Sequence, residues 1–286
     1  MQMSCIEHMV AGAVAGIGEH IAMYPVDTVK TRIQAASSGQ VSTGMSHLIR
    51  DIFRAEGVRG LYRGVSAVFL GAGPAHALYF ATYEAAKDAY GGNRAGHHPL
   101  ATALAGATAT VVNDGCMTPW DVVKQRMQMA KTPFSSVWAC AAETWQRGGL
   151  RAFYRSYWTT LVMNVPHTAL QFPLYESTKK LLSGASSGDL EADGLREQLV
   201  AGGVAGATAA AATTPLDVVK TRLQLEGFRG GARYASGGVL NVARQIVAAE
   251  GPAALWRGTL PRVLFHAPSA AVCWGIYESA KRLLAV

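Results

Sequence analysis

Charge is scarce in this chain. Asp, Glu, Lys and Arg make up 16% of its 286 residues, where soluble proteins carry about 25%. That deficit argues against an ordinary soluble domain and leaves a lipid environment open. Long apolar runs are lacking too: hydrophobic residues make up 50% of the sequence, yet no uninterrupted apolar stretch of about 20 residues occurs, so hydropathy alone does not mark membrane spans. The four cysteines, Cys5, Cys116, Cys140 and Cys273, form no CxxC pair and no zinc-finger spacing, which argues against a disulfide framework or a structural zinc site. The first residues have neither a basic stretch ahead of a compact apolar core nor an Arg-rich amphipathic presequence, so targeting information is expected inside the chain or outside this sequence. No phosphate loop, nucleophile elbow or metal-hydrolase motif occurs, and an enzyme is not expected.

What is present is repetition. Pro25-Val26-Asp27-Thr28-Val29-Lys30-Thr31-Arg32-Ile33-Gln34 returns at Pro119 to Gln128 and again at Pro215 to Gln224, with periods of 94 and 96 residues. A second landmark follows each copy, ending in Tyr62-Arg63-Gly64, Tyr154-Arg155-Ser156 and Trp256-Arg257-Gly258. A third closes it: Tyr83-Glu84, Tyr175-Glu176 and Tyr277-Glu278, with Lys87, Lys179 and Lys281 three residues past the Glu. Fixed-period self-similarity of this kind sets the architecture. The chain reads as three units, residues 1–97, 98–193 and 194–286, each with two long helices. These are expected at about 8–35 and 65–88, 99–128 and 158–181, and 196–224 and 260–283, giving an all-α membrane protein with six transmembrane helices in three pseudo-symmetric repeats. Gly12 and Gly16, and likewise Gly202 and Gly206, have the four-residue spacing that lets helices approach closely in lipid.

The net charge of +7 does not point to nucleic acid, because the basic residues are not gathered on one module. Of the 26 Lys and Arg, 19 lie in residues 30–66, 124–156 and 220–262. That bias places these three connections on one side and both termini on the other. Within the connections, residues about 42–56, 134–147 and 237–250 read as short amphipathic helices along the basic side.

Asp and Lys three residues apart share part of one helical face. Charges inside a membrane are costly unless paired, so three such helices around an axis predict the pairs Asp27 with Lys124, Asp121 with Lys220, and Asp217 with Lys30. Gln34, Gln128 and Gln224, one turn beyond each Lys, are placed to hydrogen-bond to them. The opposite end predicts a second ring: Glu84 with Lys179, Glu176 with Lys281 and Glu278 with Lys87, with Tyr83, Tyr175 and Tyr277 alongside. Two rings at opposite ends imply alternating access.

These Pro-x-Asp-x-x-Lys-x-Arg, aromatic-Arg-Gly and Tyr-Glu-x-x-Lys elements resemble the signature of the mitochondrial carrier family, over nearly the whole chain. The resemblance implies an α-helical bundle of pseudo-threefold symmetry in the inner mitochondrial membrane, with the basic connections facing the matrix. It departs at Ser156, where the pattern has Gly, and at Gly148, where an acidic residue is usual. An acidic lipid such as cardiolipin is expected near Arg63, Arg155 and Arg257. A monomer is favoured, and no nucleic-acid partner or cofactor is expected.

Substrate in such a bundle binds near the midplane. Twelve residues before the three ring glutamates stand Ala72, Asn164 and His266, with Met163 beside Asn164, positions that resemble the family's substrate contact points. None is a cation, which disfavours an anionic cargo, and the chamber is expected to be cation-free. One and two turns before the ring aspartates stand Met23 and His20, Met117 and Asp114, and Thr213 and Ala210. His20, Met23, Asp114, Met117, Met163, Asn164 and His266 therefore read as a labile metal path, since imidazole and carboxylate suit first-row divalent ions. His76 is expected to one side of it and His167 opposite. Gly18-Glu19-His20, Gly71 to Ala77 and Met163-Asn164-Val165-Pro166 resemble the mitoferrin branch of the family. That resemblance implies Fe(II) as cargo and departs from the branch at His266. Another divalent metal, a neutral or cationic metabolite, or a non-transporting scaffold are the alternatives.

Overall fold

A computed structural model of the chain describes residues 5–36, 45–91, 99–130, 132–183, 190–226, 228 and 238–284. The surroundings of some residues inside helices, Gly12, Gly16, Glu176, Tyr277, Glu278 and Lys281 among them, lie outside what the structure describes. Among the described residues the chain forms ten α-helices and no strand: α1 (Cys5–Ala35), α2 (Met45–Leu61), α3 (Val65–Ala89), α4 (Pro99–Gln128), α5 (Val137–Tyr154), α6 (Tyr157–Ser183), α7 (Leu190–Ala212), α8 (Thr214–Gln224), α9 (Gly238–Glu250) and α10 (Thr259–Leu284). A short 3-10 helix, Pro252–Trp256, precedes α10.

The long helices close a ring. α3 packs on α4, α4 on α6, α6 on α7, α7 on α10, and α10 on α1, with α1 touching α3 and α4. Length and apolarity alone mark Met45–Ala89, and the bent pair Glu197–Ala212 with Thr214–Gln224, as able to cross a membrane.

Each repeat builds its own apolar cluster where the end of its Pro-bearing helix meets the short amphipathic helix. Val29, Ile33, Ile52 and Leu61 form the first. Val219, Leu223, Val242, Ile246 and Ala254 form the third. The second gathers Val122, Val123, Met127, Phe134, Val137, Cys140 and Phe153, but it also takes Leu225 and Phe228 from the next repeat. Burying such side chains contributes about 1.5–3 kcal/mol each, which fixes the helix ends that carry the charges. Burial in this cluster pushes the Cys140 thiol up to about 12, leaving it a neutral packing group.

Gly57, Gly149 and Gly251 follow the amphipathic helices with φ of 66°, 56° and 81°, a left-handed conformation that only glycine adopts without strain. Pro25 and Pro119 sit inside continuous helices, whereas the third copy breaks at Thr213, where α7 and α8 meet at 65°.

Candidate transport site

The Pro-bearing helices converge and bring their charges together at one end. Lys124 Nζ lies 2.7 Å from Asp27 Oδ2, Lys30 Nζ 2.8 Å from Asp217 Oδ2, and Lys220 Nζ 3.1 Å from Asp121 Oδ2. Two of the pairs carry an amide brace. Gln128 Nε2 donates to Asp27 Oδ2 at 2.8 Å, and Gln128 Oε1 accepts from Thr31 Oγ1 at 2.9 Å. Gln34 Nε2 donates to Asp217 Oδ2 at 2.8 Å, and Gln34 Oε1 accepts from Thr221 Oγ1 at 2.8 Å. The third Gln departs from the expectation: both amide atoms of fully buried Gln224 have no hydrogen-bond partner among the described residues, and neither does Gln125 Oε1. Gln125 stands where the other repeats have Thr31 and Thr221. This pair is also the most open to solvent on its acidic side, with Asp121 25% exposed against 14% for Asp27 and 7% for Asp217.

Beneath the braces a second cyclic set ties the helix ends. Arg32 Nε donates to the Gln128 carbonyl, Arg126 Nε to that of Gln224, and Arg222 Nε to that of Gln34. Arg32 is held by Glu56 and Arg222 by Glu250. Hydrogen bonding from Arg222, with the charges of Arg222 and Arg257, holds the Glu250 carboxyl below the usual carboxylate range.

Above the charge pairs lies a cavity of about 340 Å³. Its walls follow helical spacing. His20, Tyr24 and Asp27 come from α1; Asp114, Met117, Asp121 and Lys124 from α4; Ala72 and His76 from α3; and Thr160 and Asn164 from α6. Asn164 Nδ2 donates to Asp114 Oδ2 at 2.6 Å, fixing the carboxylate that faces the cavity. His76, expected to one side, lines it.

Three expected residues do not. Met23 is buried on the flank of α1, because the cavity stripe runs through His20, Tyr24 and Asp27. His266 turns between helices, with its ring 5.5 Å from that of His167 and its Cβ packed beside Gly206. His167, expected to face away from the cavity, is thus its partner, and Phe265 lines the cavity from α10. Met163 is buried with its sulfur 4.0 Å from both terminal nitrogens of Arg262.

Arg262 adds a cation that the sequence reading did not place, beside the third charge pair and not on the cavity wall. It is 3% exposed, lies 3.0 Å from Asp217 Oδ2 and donates to Thr213 Oγ1 at 2.9 Å. The signal was legible: counted from the aromatic-Arg landmark, Arg262 occupies the position held by Val68 and Thr160, the single charge in a set of three. Among the described residues no three His, Cys, Asp or Glu side chains form a closed metal shell. The donors are instead spread over α1, α3, α4 and α6.

At the opposite end Glu84 is exposed and makes no ion pair among the described residues. Lys87 lies 6.0 Å above the Tyr83 ring. Tyr175 and Lys179 are half-buried. Glu176, Tyr277, Glu278 and Lys281 fall outside the described side chains. Of the arginines expected near lipid, Arg63 and Arg257 bond to Glu56 and Glu250, and Arg155 to Glu226.

A family model described as "Mitochondrial carrier protein" matches residues 1–94, 96–186 and 192–286. The chain is similar to Mitoferrin of Dictyostelium discoideum, at 40% identity over 97% of this chain and 94% of the relative. It is 42% identical to Mitochondrial RNA-splicing protein MRS3 of Saccharomyces cerevisiae, over 96% of this chain and 88% of that one. Mitoferrin-1 of Homo sapiens is 41% identical over 97% of this chain and 83% of its own length.

Proposed function

The chain belongs to the mitochondrial carrier protein family, whose members are membrane transporters, and on that premise we propose that it carries Fe(II) across the inner mitochondrial membrane into the matrix. The observation that carries the reading is the donor set around one cavity: the Asp114 carboxylate held by Asn164, the imidazoles of His20 and His76, and the Met117 thioether, directly above the charge pairs. Carboxylate and imidazole suit a first-row divalent ion, and a single thioether adds a softer ligand. Donors spread over four helices fit cargo that must leave again. The relatives named Mitoferrin support iron in particular.

The charge pairs then act as the matrix gate. With all three formed, the end of the cavity below Asp114 is closed, and in this reading that end faces the matrix. Cargo entering from the opposite end meets Asp114, weakens the pairs below, and passes as the Glu–Lys ring closes behind it.

The test is uptake by proteoliposomes loaded with a chelating dye, screened across Fe(II), Mn(II), Cu(I) and Zn(II). Asp114→Ala and His20→Ala are expected to cut Fe(II) uptake roughly tenfold or more while leaving membrane assembly intact, and Asn164→Ala, which releases the carboxylate, by roughly tenfold. Unchanged uptake in all three variants removes the metal path. Uptake of a neutral or cationic metabolite in place of any metal favours the alternative cargo.

A further inference from the structure

In two of the three repeats a carboxylate bridges two arginines at the matrix-side end. Glu56 accepts from Arg32 at 2.7 and 3.1 Å and from Arg63 at 3.3 Å. Glu250 accepts from Arg222 and, at 2.5 Å, from Arg257. The second repeat has the same two arginines, Arg126 and Arg155, but Gly148 in place of the acid.

Both arginines find substitutes. Arg155 pairs with Glu226 at 2.5 Å. Arg126, only 5% exposed, reaches Thr144 Oγ1 and the carbonyls of Gln224 and Glu226, but no carboxylate among the described residues. A guanidinium this buried without an opposite charge is costly. The space beside it is a cleft of about 540 Å³ lined by Arg126, Arg147, Gly148, Arg151, Arg155 and Glu226. Arg147 is paired with Glu143, while exposed Arg151 has no ion pair among the described residues. Among the described residues, four arginines line the cleft with Glu226, and Glu143 beside it pairs with Arg147, which leaves a surplus of two positive charges.

We propose that this cleft is a binding site for a phosphate-bearing dianion. Arginine forks match phosphate oxygens in pairs, and a phosphate monoester carries about −1.5 to −2 at pH 7, which meets the surplus. A single carboxylate would neutralise half of it. The ligand would supply between Arg126 and its neighbours what Glu56 and Glu250 supply in the other repeats. The site is separate from the transport cavity and does not depend on which cargo the carrier moves.

The test uses the full chain in detergent at constant ionic strength, with inorganic phosphate titrated against chloride and thermal unfolding as readout. Phosphate is expected to raise the midpoint saturably, by about 5 °C at about a hundred times Kd. Arg151→Gln is expected to weaken the apparent Kd roughly tenfold. Restoring the acid should make phosphate unnecessary. A Cβ at 148 would meet Ala152 Cβ at 2.9 Å, and Gly60 keeps the matching space clear beside Glu56, so the variant is Gly148→Glu with Ala152→Gly. It should unfold at a higher temperature without phosphate and lose the response. A second arm adds anionic phospholipid to the micelles without free phosphate. Three results each overturn the proposal: a phosphate effect no larger than that of chloride, a response to lipid but not phosphate, or an undiminished response in the double variant. Should the double variant not fold, an unchanged phosphate response in Arg151→Gln and Arg147→Gln overturns it equally.

Discussion

Gln125 is a small departure with a measurable cost. Thr31 and Thr221 orient the amides that brace the first and third aspartates, whereas Gln125 leaves Gln224 buried with its hydrogen-bonding capacity unmet. Gln125→Thr is expected to stabilise the protein by about 1 kcal/mol, the net worth of one buried hydrogen bond, read as a rise in thermal midpoint. No rise would mean that Gln224 is already satisfied. Arg262 acts in the opposite sense. Replacing it by Leu leaves Asp217 with Lys30 and Gln34 but removes the ion pair and the bonds to Thr213, so a loss of at least about 1.5–3 kcal/mol is expected, and an unchanged midpoint would count against a stabilising role for the Asp217–Arg262 pair. Counting turns back from Asp27 and Asp121 in the sequence reaches His20, Asp114 and Met117, which line the cavity, but also Met23, which falls beside the stripe through His20, Tyr24 and Asp27. Met163 and His266 lie off the cavity because they pack on Arg262 and His167, contacts between helices that no single-helix count contains.

The amphipathic helices show how far local pattern reaches. The apolar spacing locates them, but α2 and α5 run on past their glycines to Leu61 and Tyr154, because a left-handed residue lets a further helical turn start at once. In the third repeat Pro252 follows Gly251, and the continuation is a 3-10 helix instead. The end of α9 is held by Glu250, whose carboxyl is depressed by Arg222 and Arg257. A depressed acid stabilises the fold fully above its unfolded pKa and loses that contribution as pH falls through its folded one. Amide protection in α9, measured relative to the intrinsic exchange rate at each pH, should therefore fall as pH drops below the usual carboxylate range, and Glu250→Gln should show the lower protection already at neutral pH. In α5, with Gly148 at the matching position, this acid-induced change should be absent. Equal acid sensitivity of α5 and α9 would contradict the assignment to Glu250.

For the molecule as a whole, the three repeats made the six-helix ring legible, since a motif recurring with periods of 94 and 96 residues must recur in space once neighbouring helices pack alike. What symmetry hid are the differences between copies: the unbraced pair Asp121–Lys220, the extra cation Arg262 and the 65° bend at Thr213. Exchanging the charges, Asp27→Lys with Lys124→Asp, should retain more transport than either residue neutralised alone, because the pair is preserved across the α1–α4 contact. A double variant as inactive as the single ones would rule out this pairing as the working latch. The apolar clusters carry a further consequence. Phe134 of the second repeat rests against Phe228, ring centroids 5.9 Å apart, and Leu225 joins the same cluster. A nascent polypeptide ending after two repeats would therefore leave aromatic surface uncovered, so biogenesis has a built-in order: the middle third reaches its mature packing only after the last third has been delivered.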